Sequence, residues 1–282
     1  MEKIKIFADS TCDLSPELIE QHDIGIVPLN IIFGDDIFQD GVDITTKELY
    51  EKVEKYKCLP KTSAASPGVF KTAFEPYINK GYNIIYISIS SELSATYQNA
   101  ILAAGMFDEG RIEIVDSRNL STGIGILVLN AVDLKNQGFT AKEIAQKISE
   151  LTSKVETEFV IDTLDYLYKG GRCNSVQRFA GGLLKIRPAI KVIDGKMTPS
   201  KKFRGKREKV LDAFFDHVMG NVENIDKKRV IVTHSQGLES ALYLKEKIAQ
   251  KFDVEEILVT EAGCVISSHC GQNTVGIIYI HK

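Results

Sequence analysis

The stretch NIIYISISSELSATYQNAILAAGMF, residues 83–107, joins a buried-strand pattern to a hydroxyl cluster and then to a helix pattern. Ile84 to Ile87 form a nearly continuous apolar run, typical of a strand covered on both faces. Five serines and threonines follow, and apolar residues then recur at helical spacing. The unpaired N–H groups at such a helix start favour an oxyanion. The stretch predicts a carboxylate or phosphate site, although simple capping of the helix by Ser91 or Ser94 is an alternative.

The rest of the chain shows two patterns. Up to about residue 155, strand-like runs such as KIKIFA (3–8) and RIEIVDS (111–117) alternate with helix patterns. Such alternation predicts a mainly parallel sheet flanked by helices, with ligands bound at the carboxyl ends of its strands. Beyond residue 155 the pattern mixes parallel and antiparallel strands, and Asp194-Gly195 is a strong hairpin signal.

We therefore predict an α/β fold with two domains. Residues 1–155 form an N-terminal α/β domain with a mainly parallel sheet, and residues 156–282 form a C-terminal mixed α/β domain. No linker rich in proline, glycine or serine separates the two halves. We expect a close interface, with the ligand bound between the domains.

Composition narrows the function classes. The chain has 282 residues, 44% of them hydrophobic, and a formal net charge of −3, so no overall basic field favours nucleic acid. It contains no run of 18 apolar residues and no signal-peptide pattern, which predicts a cytoplasmic protein without a transmembrane segment. The five cysteines include no CxxC pair and give no zinc spacing, so we predict inert thiols and no metal site.

Common catalytic motifs are missing. The chain has no GxxxxGK[ST], HExxH or GxSxG, and its one GxGxxG candidate has Val128 in place of the third glycine. It therefore lacks the usual nucleotide cradle and hydrolase elbow. We expect no cofactor.

Further hydroxyl groups lie outside the opening stretch. KTSAASPGVF places Thr62, Ser63 and Ser66 in a predicted loop before a helix, where helix capping is an alternative role. TEAGCVISSHCGQNTVG places Ser267, Ser268 and His269 in a predicted loop between strands, where a structural histidine is the alternative.

These motifs in this order resemble the DegV family over essentially the whole chain. The matching stretches are ADSTCDLS, KTSAASPGVF, LSATYQNA, VDSRNLSTG, TLDYLYKGGR, RPAIKVIDGKM, FRGKRE and GCVISSHCGQNTVG. The resemblance implies a two-domain α/β protein that holds one long-chain fatty acid in a buried tunnel. It also implies the acyl-carrier subunit of a bacterial fatty acid kinase. A separate ATP-dependent kinase would phosphorylate the carboxylate, giving acyl phosphate for phospholipid metabolism, so the chain itself would not be an enzyme.

The resemblance also assigns roles to residues. The family's carboxylate-binding threonine and serine correspond to Thr62 and Ser94, and its head-group histidine corresponds to His269. Two family arginines implicated in partner engagement and phosphoryl transfer correspond to Arg172 and Arg204. The resemblance also gives His269 a role in this transfer. The chain departs from the usual family pattern at Ala95, where glycine is common, and at Ser267, Cys270 and Gln272.

The residues themselves agree with this interpretation. Neutral hydroxyl donors without a neighbouring base bind an oxyanion rather than attack a carbonyl, and they leave a carboxylate nucleophilic. A local basic set suits a transferring phosphate, although a solvated face is the alternative; its members are Arg172, Lys201, Lys202, Arg204, Lys206 and Arg207. The competing function is a stand-alone lipid or ester hydrolase with Ser94 as nucleophile and His269 as base, against which the missing GxSxG counts.

Overall fold

The computed structural model describes residues 2–172 and 186–282. Here the apolar run at residues 84–87 lies in a central strand of a four-stranded parallel sheet, as predicted. The strands are β1 (Ile4–Asp9), β2 (Gly25–Val27), β6 (Asn83–Ser88) and β7 (Ile112–Asp116), in the order β2-β1-β6-β7. Ile85 and Ile87 pack into one core cluster, and Ile84 and Tyr86 pack into another. The continuous apolar run thus reflects burial of both faces.

A small antiparallel sheet lies beside the parallel one. Its strands are β3 (Asn30–Phe33), β4 (Asp36–Gln39) and β5 (Lys61–Ser63), in the order β4-β3-β5. The prediction that Thr62 and Ser63 lie in a loop is wrong, because Thr62 pairs with Ile31 in β5. A strand of three residues is too short to show a two-residue alternation in the sequence.

A six-stranded mixed sheet occupies the second half of the described chain. Its strands are β8 (Val155–Val160), β9 (Ile186–Ile193), β10 (Lys196–Arg204), β11 (Ile225–Ser235), β12 (Glu256–Glu261) and β13 (Thr274–His281). Their order is β10-β9-β8-β13-β11-β12, and only β11 and β12 pair in parallel. Asp194 and Gly195 form the predicted hairpin turn with positive φ angles of 50° and 81°.

The helices of the described residues cover these sheets. They are α1 (Pro16–Gln21), α2 (Thr46–Tyr56), α3 (Pro67–Asn79), α4 (Thr96–Ala104), α5 (Thr122–Asn136), α6 (Ala141–Leu151), α7 (Asp165–Gly170), α8 (Arg207–Met219), α9 (Leu238–Lys251) and α10 (Cys264–Cys270). Short 3-10 turns occupy Ser10–Cys12 and Thr152–Lys154. None of these helices has the length and apolar character that a bilayer crossing requires.

The structure corrects one predicted loop and adds one helix that was not predicted. Ser267, Ser268 and His269, predicted in a loop, lie in α10. This helix is short, and glycines stand at both of its ends, so its sequence lacks a clear helical period. Helix α8 had no counterpart among the predicted elements, although the buried side chains of Phe214 and Phe215 are part of its core face.

One core cluster joins the two halves of the chain. Ile6 of the parallel sheet, Ile126 of α5 and Ile278 of the mixed sheet belong to the same group of buried residues. Strand β8 begins at Val155, so the predicted boundary falls where the mixed sheet starts. The division into two domains stays a prediction.

The β9–β10 hairpin also connects the halves. Ser90, in the loop after β6, donates a hydrogen bond to the carbonyl oxygen of Gly195 at 2.9 Å. Arg118 donates one to the carbonyl oxygen of Asp194. The Cβ of any larger residue at position 195 would lie 2.5 Å from the Ser90 hydroxyl oxygen. The hairpin tip therefore rests directly on the hydroxyl-rich loop.

Three of the predicted inert thiols are enclosed. Cys12, Cys264 and Cys270 are buried, whereas Cys58 is exposed and Cys173 lies outside the described residues. Burial raises the pKa of Cys270 to about 12, so this thiol is protonated at neutral pH. In the described ranges, no group of three or more His, Cys, Asp or Glu side chains is arranged to hold a metal ion.

Candidate functional site

A large cavity opens at the carboxyl ends of the parallel strands. It encloses about 890 Å³ of empty space, counting its open mouth. Leu29, Ile89 and Leu120, which follow β2, β6 and β7, line it, so the ligand position predicted from the strand ends holds a cavity. The second half of the chain also contributes to its wall, for example through Phe159 and Ile278.

Most of the cavity wall is apolar. The apolar side chains are Leu29, Ala64, Ile89, Leu93, Leu120, Phe159, Leu167, Met197, Ala262, Val265, Ile266 and Ile278. Thr274, Gly276 and Ile278 alternate along β13, so one face of the first five residues of this strand lines the cavity. Such a space suits a mainly apolar ligand.

Hydroxyl groups are spread over the same wall. Those of the described chain belong to Thr62, Ser63, Ser94, Ser121, Thr157, Thr233, Ser235 and Thr274. All but one have a hydrogen-bond partner in the protein. The exception is Thr157.

Thr62 and His269 meet in the cavity wall. The Thr62 hydroxyl oxygen lies 2.9 Å from Nε2 of His269, across 207 residues of sequence. Thr62 is held by strand pairing in β5, and His269 lies in the last turn of α10. Arg172 lines the cavity nearby and donates a hydrogen bond to the carbonyl oxygen of Gly170 at 2.7 Å. We call Thr62, Arg172 and His269 the polar end.

Ser94 lines the same cavity from a different loop. Its hydroxyl oxygen accepts a hydrogen bond from the backbone N–H of Thr96 at 3.2 Å and lies 2.7 Å from the Thr96 hydroxyl. The N-cap position of α4 is occupied by Ala95, which makes no side-chain cap. Asn99 of α4 donates to the carbonyl oxygen of Ala65 at 2.8 Å, which ties this helix to the segment after β5.

Two buried carboxylates hold the start of α10. Asp40 accepts hydrogen bonds from the backbone N–H groups of Cys264 at 2.7 Å and Val265 at 3.3 Å. Asp13 accepts one from Gly263 at 2.9 Å. Burial raises the pKa of both carboxyl groups. They cap the helix that carries His269, a role that no local sequence signal indicates, because they lie more than 200 residues away.

His269 is neutral at physiological pH. Burial, with a smaller contribution from the positive charge of Arg172, lowers its pKa to about 4. Its Nδ1 atom is buried without a partner in the described residues and lies against Gly170. A Cβ at position 170 would lie 2.2 Å from that atom, so the imidazole requires glycine here. Gly170 is a site residue that the sequence did not reveal.

Arg204 is placed apart from the cavity. It ends β10, its side chain is exposed, and it is not among the described lining residues. Others of the basic set have partners: Arg207 pairs with Asp162 at 3.1 Å, and Lys201 lies over the ring of Phe203. The structure thus brings Arg172 to the cavity and leaves Arg204 on the outer surface.

The hydrolase alternative gains no support from this geometry. Ser94 hydrogen-bonds to Thr96 and His269 hydrogen-bonds to Thr62, so these described residues do not form a nucleophile–base pair. No carboxylate of the described chain orients Nδ1 of His269. A serine hydrolase needs both contacts.

The fold and the cavity define a class of protein, namely an α/β protein with a large, mainly apolar cavity that polar side chains also line. Comparison with known proteins agrees: the family model described as "Uncharacterised protein, DegV family" matches residues 3–282. This chain belongs to the DegV family, as its motifs indicated.

Individual relatives cover the whole chain. A DegV domain-containing protein of Clostridium acetobutylicum is 33% identical over 285 residues, covering 100% of both chains. The structure titled "Fatty Acid Binding of a DegV family Protein from Thermus thermophilus" is 31% identical, with a TM-score of 0.88, and covers 99% of this chain and 100% of that one. The Streptococcus pneumoniae fatty acid kinase B3 protein, loaded with linoleic acid, shares the fold at 24% identity and a TM-score of 0.86, covering 99% of this chain and 100% of that one.

Proposed function

We propose that this protein binds one long-chain fatty acid in the cavity, with its carboxylate at Thr62, Ser94 and His269. The observation that carries the proposal is a large, mainly apolar cavity whose wall includes the Thr62–His269 pair. The Thermus thermophilus relative, described as binding fatty acid, has the same fold at 31% identity. Burying roughly 16 carbons contributes on the order of 10 kcal/mol gross, at about 0.8 kcal/mol per methylene.

The hydrogen-bond directions at the polar end follow from the orphaned Nδ1 atom. An unpaired buried acceptor is better tolerated than an unpaired N–H donor. The neutral imidazole therefore carries its proton on Nε2 and donates it to the Thr62 hydroxyl oxygen. This leaves the Thr62 hydroxyl proton free to donate to a carboxylate. Neutral donors hold that carboxylate without cancelling its charge, so it stays nucleophilic.

The carboxylate would then be presented to a separate kinase for phosphorylation to acyl phosphate. Arg172 lines the cavity beside His269, where a guanidinium stabilises charge on a transferring phosphoryl group. Arg204, exposed at the end of β10, would contact the kinase. The chain supplies the acyl carrier, and the partner supplies ATP.

The binding step is tested with delipidated protein and octadecanoic acid. Thr62→Ala combined with Ser94→Ala removes donors that contribute roughly 0.5–1.5 kcal/mol each, so affinity should fall about 5- to 150-fold. Ser66→Ala is the control, because this hydroxyl caps α3 and is not among the lining residues. Full affinity in the double variant would refute the head-group assignment. Native mass spectrometry should show one co-purified fatty acid per chain.

The transfer step is tested with the kinase of the host organism. Arg172→Ala and Arg204→Ala should retain fatty acid binding while acyl phosphate formation falls sharply, because the acyl chain is held by apolar burial. Lys142→Ala, an exposed change on α6, is the matched control. Unchanged acyl phosphate formation in both arginine variants would remove the transfer role and leave only the binding role.

A further inference from the structure

Three buried hydroxyl groups meet beside α10. The hydroxyl oxygen of Tyr50 in α2 lies 2.6 Å from that of Ser235 at the end of β11, which in turn lies 2.8 Å from that of Ser267 in α10. Tyr50 is 4% exposed, and the two serines are fully buried. We call Tyr50, Ser235 and Ser267 the hydroxyl network. It joins α10 to two elements that are distant in the sequence.

Each hydroxyl proton of this network has an acceptor. Burial raises the pKa of Tyr50, so its hydroxyl stays protonated and donates to Ser235. Ser235 then donates to the Ser267 hydroxyl oxygen, and Ser267 donates to the carbonyl oxygen of Ala262 at 3.2 Å. The Tyr50 hydroxyl also lies 3.3 Å from the carbonyl oxygen of Ser267, which accepts the backbone N–H of Gly271 at 3.0 Å. The network therefore contacts both the side chain and the backbone of Ser267.

Ser267 and His269 lie on opposite sides of the same short helix. Successive residues of an α-helix are rotated by about 100°, so two positions along α10 nearly reverse the direction of a side chain. Ser267 contacts the other two members of the hydroxyl network, whereas His269 contacts Thr62 and lies against Gly170. Helix α10 is thus held between two sets of contacts, and a shift on the Ser267 side moves His269 relative to Thr62.

The carboxylate caps of α10 do not reach this part of the helix. Asp13 and Asp40 accept hydrogen bonds from the backbone N–H groups at its start, which belong to Gly263, Cys264 and Val265. The turn that carries His269 therefore depends on contacts further along. A buried network in which every hydroxyl is satisfied holds such a turn in one position, because hydrogen bonds are more restricted in distance and angle than apolar contacts.

We propose that Tyr50 is a positioning residue, which acts through Ser235 and Ser267 to hold His269 at hydrogen-bonding distance from Thr62. The inference rests on the proposed fatty acid binding and deepens it, because it names a residue outside the polar end that sets the affinity for the carboxylate. Tyr50 is not among the described lining residues, so its effect on the ligand is indirect. Without the Tyr50 hydroxyl, the two serines still bond to each other, but α2 no longer fixes them.

The binding test uses Tyr50→Phe, which removes the hydroxyl and keeps the ring that packs against Tyr166. Isothermal titration calorimetry on delipidated protein gives the affinities of octadecanoic acid and its methyl ester. The acid should bind about 3- to 10-fold more weakly than to wild type, and the ester should bind equally well. Tyr86→Phe is the matched control, because its hydroxyl is also buried, donates to Asp9 at 2.9 Å and is not among the described lining residues. It should lower the free energy of unfolding but leave the ratio of acid to ester affinity unchanged.

A second measurement follows His269 itself without ligand. The ¹⁵N NMR resonance of its Nε2 should shift in Tyr50→Phe, because the hydrogen bond to Thr62 weakens, and should stay in place in Tyr86→Phe. Ser267→Ala breaks the same link from the side of α10 and should give the same shift. An acid-to-ester ratio equal to that of wild type in Tyr50→Phe, or an unmoved Nε2 resonance in both network variants, would overturn this inference alone. If octadecanoic acid did not bind the wild type, the proposed function would fail, and the NMR comparison would still test the positioning of His269.

Discussion

The polar end of the cavity and its inner wall are built in different ways. Thr62, Arg172 and His269 come from separate elements, and each is placed by a specific contact. The inner wall, formed by Phe159, Ile278 and their neighbours, comes from alternate positions on paired strands. The first region depends on individual atoms and the second on apolar area. The effect of a substitution at the polar end on affinity should therefore depend on whether the ligand has a carboxylate. The effect of a substitution at the inner wall should not.

The largest effect is expected at the helix start that supports the polar end. Asp40→Ala removes the acceptors of two buried N–H groups of α10 and should lower the free energy of unfolding by about 3 kcal/mol. Asp40→Asn, which retains one oxygen, should have a free energy of unfolding between those of Asp40→Ala and wild type. Urea denaturation measures both, with Asp36→Ala as an exposed control. Equal stability of Asp40→Ala and wild type would show that α10 needs no carboxylate cap.

A pH dependence should mark His269. Its pKa of about 4 in the folded chain lies below the usual 6.5, so below pH 6.5 the unfolded chain binds the proton that the folded chain excludes. The contribution of His269 to the free energy of unfolding is therefore retained at pH 7 and falls as the pH drops towards 4. Between pH 7 and pH 5, the free energy of unfolding should therefore fall by about 1–2 kcal/mol less in His269→Gln than in wild type. Parallel pH profiles from urea denaturation would contradict the lowered pKa.

A substitution at Gly170 should affect the polar end without affecting the inner wall. In Gly170→Ala the new Cβ displaces His269 and weakens its hydrogen bond to Thr62, which contributes about 0.5–1.5 kcal/mol. Octadecanoic acid should bind 3- to 10-fold more weakly, and its methyl ester should bind almost as before. Gly68→Ala is the control, because its Cβ would have only an ordinary contact 3.8 Å from Ser66. An equal loss for acid and ester would place the effect elsewhere.

The smallest effect is expected at the inner wall. Ile278→Val removes one methylene group from the cavity wall and should weaken binding by at most about 0.8 kcal/mol. Octadecanoic acid and its methyl ester should lose the same binding free energy, because the contact of each ligand with Ile278 does not involve the carboxylate. Calorimetry on both ligands checks this. A loss confined to the acid would remove the distinction between the two regions.

The sequence predicts the parts of this molecule that depend on local pattern. The parallel strands and the Asp194–Gly195 hairpin can be predicted from the sequence, because burial and turn geometry act on neighbouring residues. The strand at Thr62 and the helix at His269 were assigned to loops, because distant partners stabilise both. The family resemblance named four residues that line the cavity, and Arg204, which is not among its described lining residues.

Other site features have no sequence signal at all. Gly170 matters because it touches a side chain 99 positions further along the chain, and a single glycine near a helix end suggests only a cap. The unpaired hydroxyl of Thr157 is likewise invisible in the sequence, because threonine is an ordinary strand residue. Both features depend on tertiary contacts, which local pattern does not encode.

The capping of α10 by Asp13 and Asp40 also bears on how the protein is made. These contacts join residues 224 and 250 positions apart, so they close only when nearly the whole chain is available. A nascent chain grows from its N-terminus at about 5–20 residues per second, and its early strands pair before α10 has left the ribosome. Binding of fatty acid at the Thr62–His269 pair would therefore require that synthesis has passed α10. Chains truncated before residue 264 should fail to retain the ligand.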